Sequence, residues 1–225
     1  MFTDHTDVEK LTPQARRQAQ TRQIILDHAR ATIAQRGMAG LSIRGLADSI
    51  DYTPGALYEY FKNKEDLVDA VRADCFESLN SFIFRRIQAA QDAAEMLLLG
   101  GLAYIEYAAL HPQEYHLMFN MEPSRSTSGE QRQVAMRSLL EMVRLGIAEG
   151  RFAVRDDYDA DTIAYHCWAT VHGIASLQTT VLLAERPDVE VVIRSILAKV
   201  IAGFTVTGDP PSTSWPSPGQ GASGG

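Results

Sequence analysis

The stretch SIRGLADSIDYTPGALYEYFKNKEDL, Ser42–Leu67, decides the fold. It holds two short apolar-patterned segments separated by a polar break. Ser42 is an N-cap for a helix over Ile43–Ile50, whose inward face is Ile43, Leu46, Ala47 and Ile50. After Asp51 and Tyr52, Thr53 caps a second short helix. That helix opens with Pro54, where a missing N–H costs nothing, and runs to about Phe61. Leu57 and Phe61 form its inward i,i+4 pair. Helices of about eight residues are too short to be stable alone. The support precedes them: over Arg16–Arg36, residues Ile25, Leu26, Ala29 and Ile33 make an apolar stripe that Gly37 ends. Three helices in this order predict a helix-turn-helix unit whose third helix enters the DNA major groove.

The residues on the outer side fit that expectation. Pro54, Gly55 and Ala56 form a small-residue tip that lets the backbone approach base edges closely. Tyr58 and Tyr60 offer hydroxyl donors to phosphate, and Lys62 and Lys64 add cations at the far end. The N-terminal amides of the third helix add partial positive charge. Arg44, on the exposed side of the second helix, can reach a guanine edge with two donors or a phosphate with one. Charge is distributed to match. The 225-residue chain carries a formal net charge of -7, yet Lys10–Lys64 holds nine Lys and Arg against four Asp and Glu, a local +5. Residues 65–225 hold twelve against 21, a local -9. Such asymmetry is a footprint of nucleic-acid binding.

Nearly all of the remaining chain also reads as helix: about 64–89, 92–110, the short amphipathic QEYHLMFNM, 131–149, 160–184 and 189–204. The predicted fold is all-α with about nine helices. The expected organisation is a flexible N-terminus at 1–14, a DNA-binding domain at 15–63, a helical bundle at 64–205 and a disordered tail at 206–225. The tail, TGDPPSTSWPSPGQGASGG, is too rich in Pro, Ser and Gly to offset its ordering entropy. No run of 18 apolar residues predicts a membrane span, and MFTDHTDVEK has no secretory pattern. Cys75 and Cys167 make neither a disulfide framework nor a zinc motif, so the cytoplasm is the expected location. The histidines lack metal-ligand spacing, and no nucleophile–base pair or phosphate loop is present. No metal, no cofactor and no enzymatic activity are expected.

The residues IILDHARATIAQRG, LSIRGLADSI and TPGALYEYFKNKEDLVDAV together resemble the TetR family of bacterial transcriptional regulators. The specific matches are Gly55-Ala56-Leu57-Tyr58, Phe61 and Lys64-Glu65. The resemblance implies a regulator that binds a palindromic operator as a homodimer, commonly a repressor released by a small hydrophobic or aromatic effector. By position it implies that Arg44, Pro54, Gly55 and Ala56 face base edges, and that Ser42, Thr53, Tyr58, Tyr60 and Lys64 face phosphates. Three positions depart from the pattern. Asp51 stands where glycine is usual in the turn, and Asp tolerates left-handed geometry. Ile33 replaces a bulkier aromatic, and Glu59 places a carboxylate near phosphates, where we expect it to point outward.

In the C-terminal region, CWATVHGIASLQ, with Trp168, His172 and Gly173, resembles the Trp-His-Gly signature of one TetR subfamily. That resemblance implies an effector-binding region and a dimer in which the last two helices of each subunit form a four-helix bundle. Apolar residues at Ile174, Leu177, Val181, Leu182, Ile193, Ile196, Leu197 and Val200 are too many for a monomer's surface. Met96, Tyr104, Tyr107, Tyr115, Met118, Phe119, Met136 and Met142 suit an adaptable apolar cavity, and equally suit plain core. Trp168 and His172, at i,i+4, are a packed pair or a pocket wall. No Lys or Arg occurs from Glu95 to Met121, whereas Glu95, Glu106 and Glu114 do. That favours a neutral or mildly cationic effector. A regulator without an effector is the second reading, and a helical-bundle enzyme the third.

Overall fold

A computed structural model of the chain describes residues 12–119, 128–178 and 188–206, with the backbone alone at 128–132. The helices are α1 (Pro13–Arg36), α2 (Ile43–Ser49), α3 (Pro54–Tyr58), α4 (Lys64–Ile87), α5 (Ala93–Leu110), α6 (Pro112–Phe119), α7 (Ser128–Ala148), α8 (Ala160–Gln178) and α9 (Val189–Ala202), with a 3-10 turn at Met38–Gly40. Among the described residues there are no strands, only two isolated bridges, Phe152 with Thr205 and Arg155 with Tyr158. The all-α expectation holds. Most of the expected tail, Val181, Leu182 and residues 1–11 lie outside the described residues.

Two compact units form: residues 1–81 with 107–135, and 82–106 with 136–225. The helices α4, α5 and α7 each contribute to both. The boundary expected after residue 63 therefore lies inside the first unit, which keeps the helix-turn-helix together with most of α4 and with α6.

In the first unit, α1 begins three residues earlier than its apolar stripe suggests. The Thr12 hydroxyl accepts from the Ala15 amide at 3.2 Å, and Pro13 takes the first helical position. Gly37, at φ 64°, stops it. Ile25, Leu26, Ala29 and Ile33 of α1 are buried and form a core with Leu46, Ala47, Leu57 and Phe61. Ile43 and Ile50 are only half-buried. The α3 helix is shorter than expected, yet Tyr60 and Phe61 both donate backbone bonds to the Leu57 carbonyl at 3.0 Å. This extra turn keeps Leu57 and Phe61 inward. Asn63 caps α4 by accepting from the Asp66 amide at 2.8 Å, and Asp66 accepts from the Lys62 amide at 3.0 Å.

A polar cluster ties α1 to α4 and α6. Arg30 donates to Asp74 at 2.7 Å, to Ser78 at 2.8 Å and to Glu114 at 2.8 Å. Glu114, 6% exposed, also accepts from the Tyr107 hydroxyl at 2.8 Å. Burial, and then the Glu114 carboxylate, push the Tyr107 phenol upward, so it stays a donor. Burial likewise pushes up the Cys75 thiol beneath it.

In the second unit, α5 packs on α8 and α9 through a small residue. A Cβ at Gly101 would meet Leu197 and Val171 side-chain atoms at 3.2 Å. By length and composition α5 is apolar enough to cross a membrane, but Glu95 and Glu106 interrupt it and it is mostly buried in the fold. It is a core helix. Gly150, at φ 68°, ends α7 and turns the chain so that the Phe152 ring lies on Gly146. Phe152 meets Phe204 edge-on at 5.1 Å, and the Ala153 amide donates to the Phe204 carbonyl at 2.8 Å.

Candidate nucleic-acid interface

The turn between α2 and α3 sets the interface. Asp51 adopts φ 56°, the left-handed conformation expected where relatives use glycine. The Tyr52 amide donates back to the Ala47 carbonyl at 3.0 Å, closing the turn. Both short helices are capped as the sequence predicts. Ser42 accepts from the Gly45 amide at 3.1 Å, and Thr53 from the Ala56 amide at 3.2 Å. Each hydroxyl spends its acceptor role on a cap and keeps its O–H to donate outward.

With Leu57 and Phe61 anchored inside, the other side of α3 is left to solvent. Tyr58 is 53% exposed. Gly55 and Arg44 are exposed, while Pro54, Ala56, Tyr60 and Lys64 are half-buried. A Cβ at Gly55 would meet nothing nearer than the Thr53 hydroxyl at 3.8 Å. The protein's own packing therefore does not require glycine there, and an outside surface approaching closely would. Glu59 is exposed and follows α3 directly, in the outward placement expected of it. One contact was not anticipated from sequence: the Arg22 guanidinium lies over the Phe61 ring at 5.2 Å, placing a cation beside the end of α3.

The residues suggested for an effector divide between the units. Tyr107, Tyr115, Met118 and Phe119 fall in the first. There Met118 is fully buried, Tyr115 packs on Phe119 at 4.9 Å, and Phe119 meets Phe76 at 5.3 Å. Met96, Tyr104, Trp168 and His172 fall in the second. Trp168 stacks on His172 at 5.1 Å with planes 19° apart, and the Tyr104 hydroxyl lies 3.1 Å from His172 Nδ1. Burial lowers the His172 pKa, which favours the neutral imidazole beside the Tyr104 hydroxyl. The acidic residues of α5 and α6 are already engaged. Glu95 accepts from the Gln91 amide at 2.8 Å, Glu106 pairs with Arg86 at 2.8 Å and Glu114 with Arg30. No group of three metal-ligating side chains occurs among the described residues.

Residues 25–71 match the family model described as bacterial regulatory proteins of the tetR family, and residues 97–200 match a tetracyclin repressor-like C-terminal domain. The chain belongs to the TetR family. It is accordingly a DNA-binding transcriptional regulator and not an enzyme. It is 28% identical over 155 residues to the HTH-type transcriptional repressor KstR2 of Mycolicibacterium smegmatis, covering 64% of this chain and 73% of that protein. The KstR2 of Mycobacterium tuberculosis is 28% identical over 149 residues, covering 62% and 72%. Among solved structures, a Rhodococcus protein of unknown function superposes with TM-score 0.73 at 26% identity, over 81% of this chain and 94% of that one. The ketosteroid transcriptional regulator KstR2 of M. tuberculosis superposes with TM-score 0.55 at 23% identity, over 82% and 95%, a likeness of fold.

Proposed function

We propose that this TetR-family regulator is a cytoplasmic homodimeric repressor that grips a palindromic operator through Ser42, Arg44, Thr53, Pro54, Gly55, Ala56, Tyr58, Tyr60 and Lys64, and leaves it when a small neutral or mildly cationic ligand binds. The observation that carries the DNA contact is the pair of capped short helices about Asp51, with Arg44 and Tyr58 exposed on their outer side. The sign of regulation follows the mycobacterial relatives, which are named as repressors. Arg44→Ala should cost about 1–3 kcal/mol on a duplex selected for tight binding, while Tyr58→Phe and Lys64→Ala weaken selected and random duplexes alike. Equal affinity of Arg44→Ala and the parent for the selected duplex, at equal salt, removes Arg44 from base reading.

Dimerisation is assigned to α8 and α9. The burial of Ile174, Ile193 and Leu197 is already used within the second unit, so they do not form the exposed seam that the sequence suggested. The face left outward is different. Tyr165, Ala169, Gly173 and Leu177 form one i,i+4 ridge on α8, with Tyr165 62% and Leu177 49% exposed, and α9 adds Val191 and Ile196. A Cβ at Gly173 would meet nothing within 4 Å, so this mid-helix glycine has no packing role inside the chain. A partner helix crossing closely there would account for it. Monomeric sedimentation at micromolar concentration would remove this interface.

We assign the effector site to Tyr104, Trp168 and His172, in keeping with the Trp-His-Gly subfamily. Because Glu95, Glu106 and Glu114 all have partners, a mildly cationic effector would rely on the aromatic rings rather than on a carboxylate. Neutral or mildly cationic molecules of aromatic or apolar character are the class that suits these rings. Such a molecule raises the melting temperature and weakens operator binding, and the two effects are linked because coupling is reciprocal. Trp168→Ala should blunt both responses without changing DNA affinity in the ligand's absence.

A further inference from the structure

The first three turns of α1 have no core to pack on. From Pro13 to Ile24 no residue is buried, and the first buried side chain is Ile25. Twelve helical residues span about 18 Å. Their composition, PQARRQAQTRQI, is rich in the good helix formers Ala, Arg and Gln, and Thr12 caps the start. The segment thus extends as helix from the anchored part of α1, without an apolar face to justify it.

Its charge is one-sided. Residues 13–26 carry Arg16, Arg17 and Arg22 and no Asp or Glu. This is a chain of net charge -7, whose own field repels phosphate. The place where this segment leaves the core is fixed by Arg22, which lies 5.2 Å over the ring of Phe61. Phe61 stands between Tyr60 and Lys62, at the far end of the recognition helix. Arg17 and Arg16 lie five and six residues further along the axis, about 7.5 and 9 Å beyond Arg22. They diverge by about 100° around the helix, so they reach in two directions.

We propose that the projecting end of α1 is a second DNA-contacting element, in which Arg16 and Arg17 grip backbone phosphates flanking the segment read by α3. The side chains carry the contact. It adds affinity without sequence preference, because phosphates are the same at every step and B-DNA presents a charge about every 1.7 Å of axis. The proposal rests on the DNA-binding reading above and adds a surface to it.

The test needs no knowledge of the operator. Binding of the full-length protein to a labelled mixed-sequence duplex is measured by fluorescence anisotropy across a salt series, for the parent, R16Q/R17Q and R16K/R17K. Loss of two phosphate contacts flattens the plot of log K against log salt by about 1.8 per bound protomer. The parent's advantage over R16Q/R17Q should then grow roughly tenfold between about 200 and about 50 mM salt. R16K/R17K, which keeps both charges, should restore the parent slope. The substituted side chains are exposed, so unchanged thermal unfolding of the variants is expected. A common slope for all three proteins overturns the proposal and leaves DNA binding by α3 intact. A parent that shows no salt-dependent binding to duplex overturns the DNA-binding reading, and this proposal with it.

Discussion

Arg30→Met tests whether the polar cluster of the first unit holds α1 on α4 and α6. The guanidinium makes three short contacts, to Asp74, Ser78 and Glu114, at 2.7 to 2.8 Å. Removing it leaves the Glu114 carboxylate, 6% exposed, without its guanidinium and with the Tyr107 hydroxyl still donating. Breaking a fully buried ion pair from one side costs about 3–5 kcal/mol. The Arg30 and Asp74 side chains are 21% and 16% exposed, so water screens part of that loss. We expect about 2–3 kcal/mol. Glu114→Leu alone leaves Arg30 with Asp74 and Ser78 and should cost less. The double variant removes both charges, and should be less destabilised than the sum by at least about 1.5 kcal/mol. Urea unfolding at fixed protomer concentration reads these differences, because the proposed dimer would make the midpoint concentration-dependent. If Arg30→Met unfolds within about 0.5 kcal/mol of the parent, the cluster is an ornament of the surface and the reasoning fails.

Three further outcomes follow from the geometry. Gly146→Ala would place a methyl 2.1 Å from the Phe152 ring, which is itself held against Phe204, so thermal unfolding should show about 1–3 kcal/mol of destabilisation. Burial holds the His172 pKa below its unfolded value, so the unfolded chain binds the extra proton; stability contributed here is full above about pH 6.5 and falls on acidification, and His172→Gln should flatten that part of the pH–stability curve. The Cys167 thiol is pushed up to about 12 by burial and Cys75 is pushed up as well, so at pH 8 both should react with a thiol reagent on the order of a hundredfold or more slower in the folded protein than in urea.

The helix-turn-helix was legible because each of its signals is local. An N-cap acts on an amide three residues away, as Ser42 does on Gly45 and Thr53 on Ala56. An apolar stripe needs only the helical period, and Ile25, Leu26, Ala29 and Ile33 are all buried as that period requires. Asp51 was legible for the same reason. The left-handed turn is a property of one residue's backbone, and Asp at φ 56° meets it at a cost that glycine would not incur. The shortness of α3 was not legible, because the extra turn through Tyr60 and Phe61 keeps the same inward spacing as a continued helix.

What depended on partners far along the chain could not be read this way. A stretch from Glu95 to Met121 without Lys or Arg looks like an acidic lining when its residues are counted by type. Its carboxylates are answered from elsewhere: Glu114 by Arg30, 84 residues earlier, and Glu106 by Arg86 on α4. Glu95 is absorbed locally, since Asp92 accepts from its amide at 2.9 Å while it accepts from that of Gln91. The same reasoning applies to the apolar excess of α8 and α9. Burial inside the unit removes Ile174, Ile193 and Leu197 from the surface, and among the described residues of the two helices the ridge from Tyr165 to Leu177, with Val191 and Ile196, stays exposed. A substitution that separates the two sets is Gly173→Leu. It adds bulk where the chain itself has nothing within 4 Å, so the protomer should fold as before while the dimer weakens. Sedimentation velocity reads the association state and far-ultraviolet circular dichroism the fold; a variant that dimerises as tightly as the parent places the interface on another face.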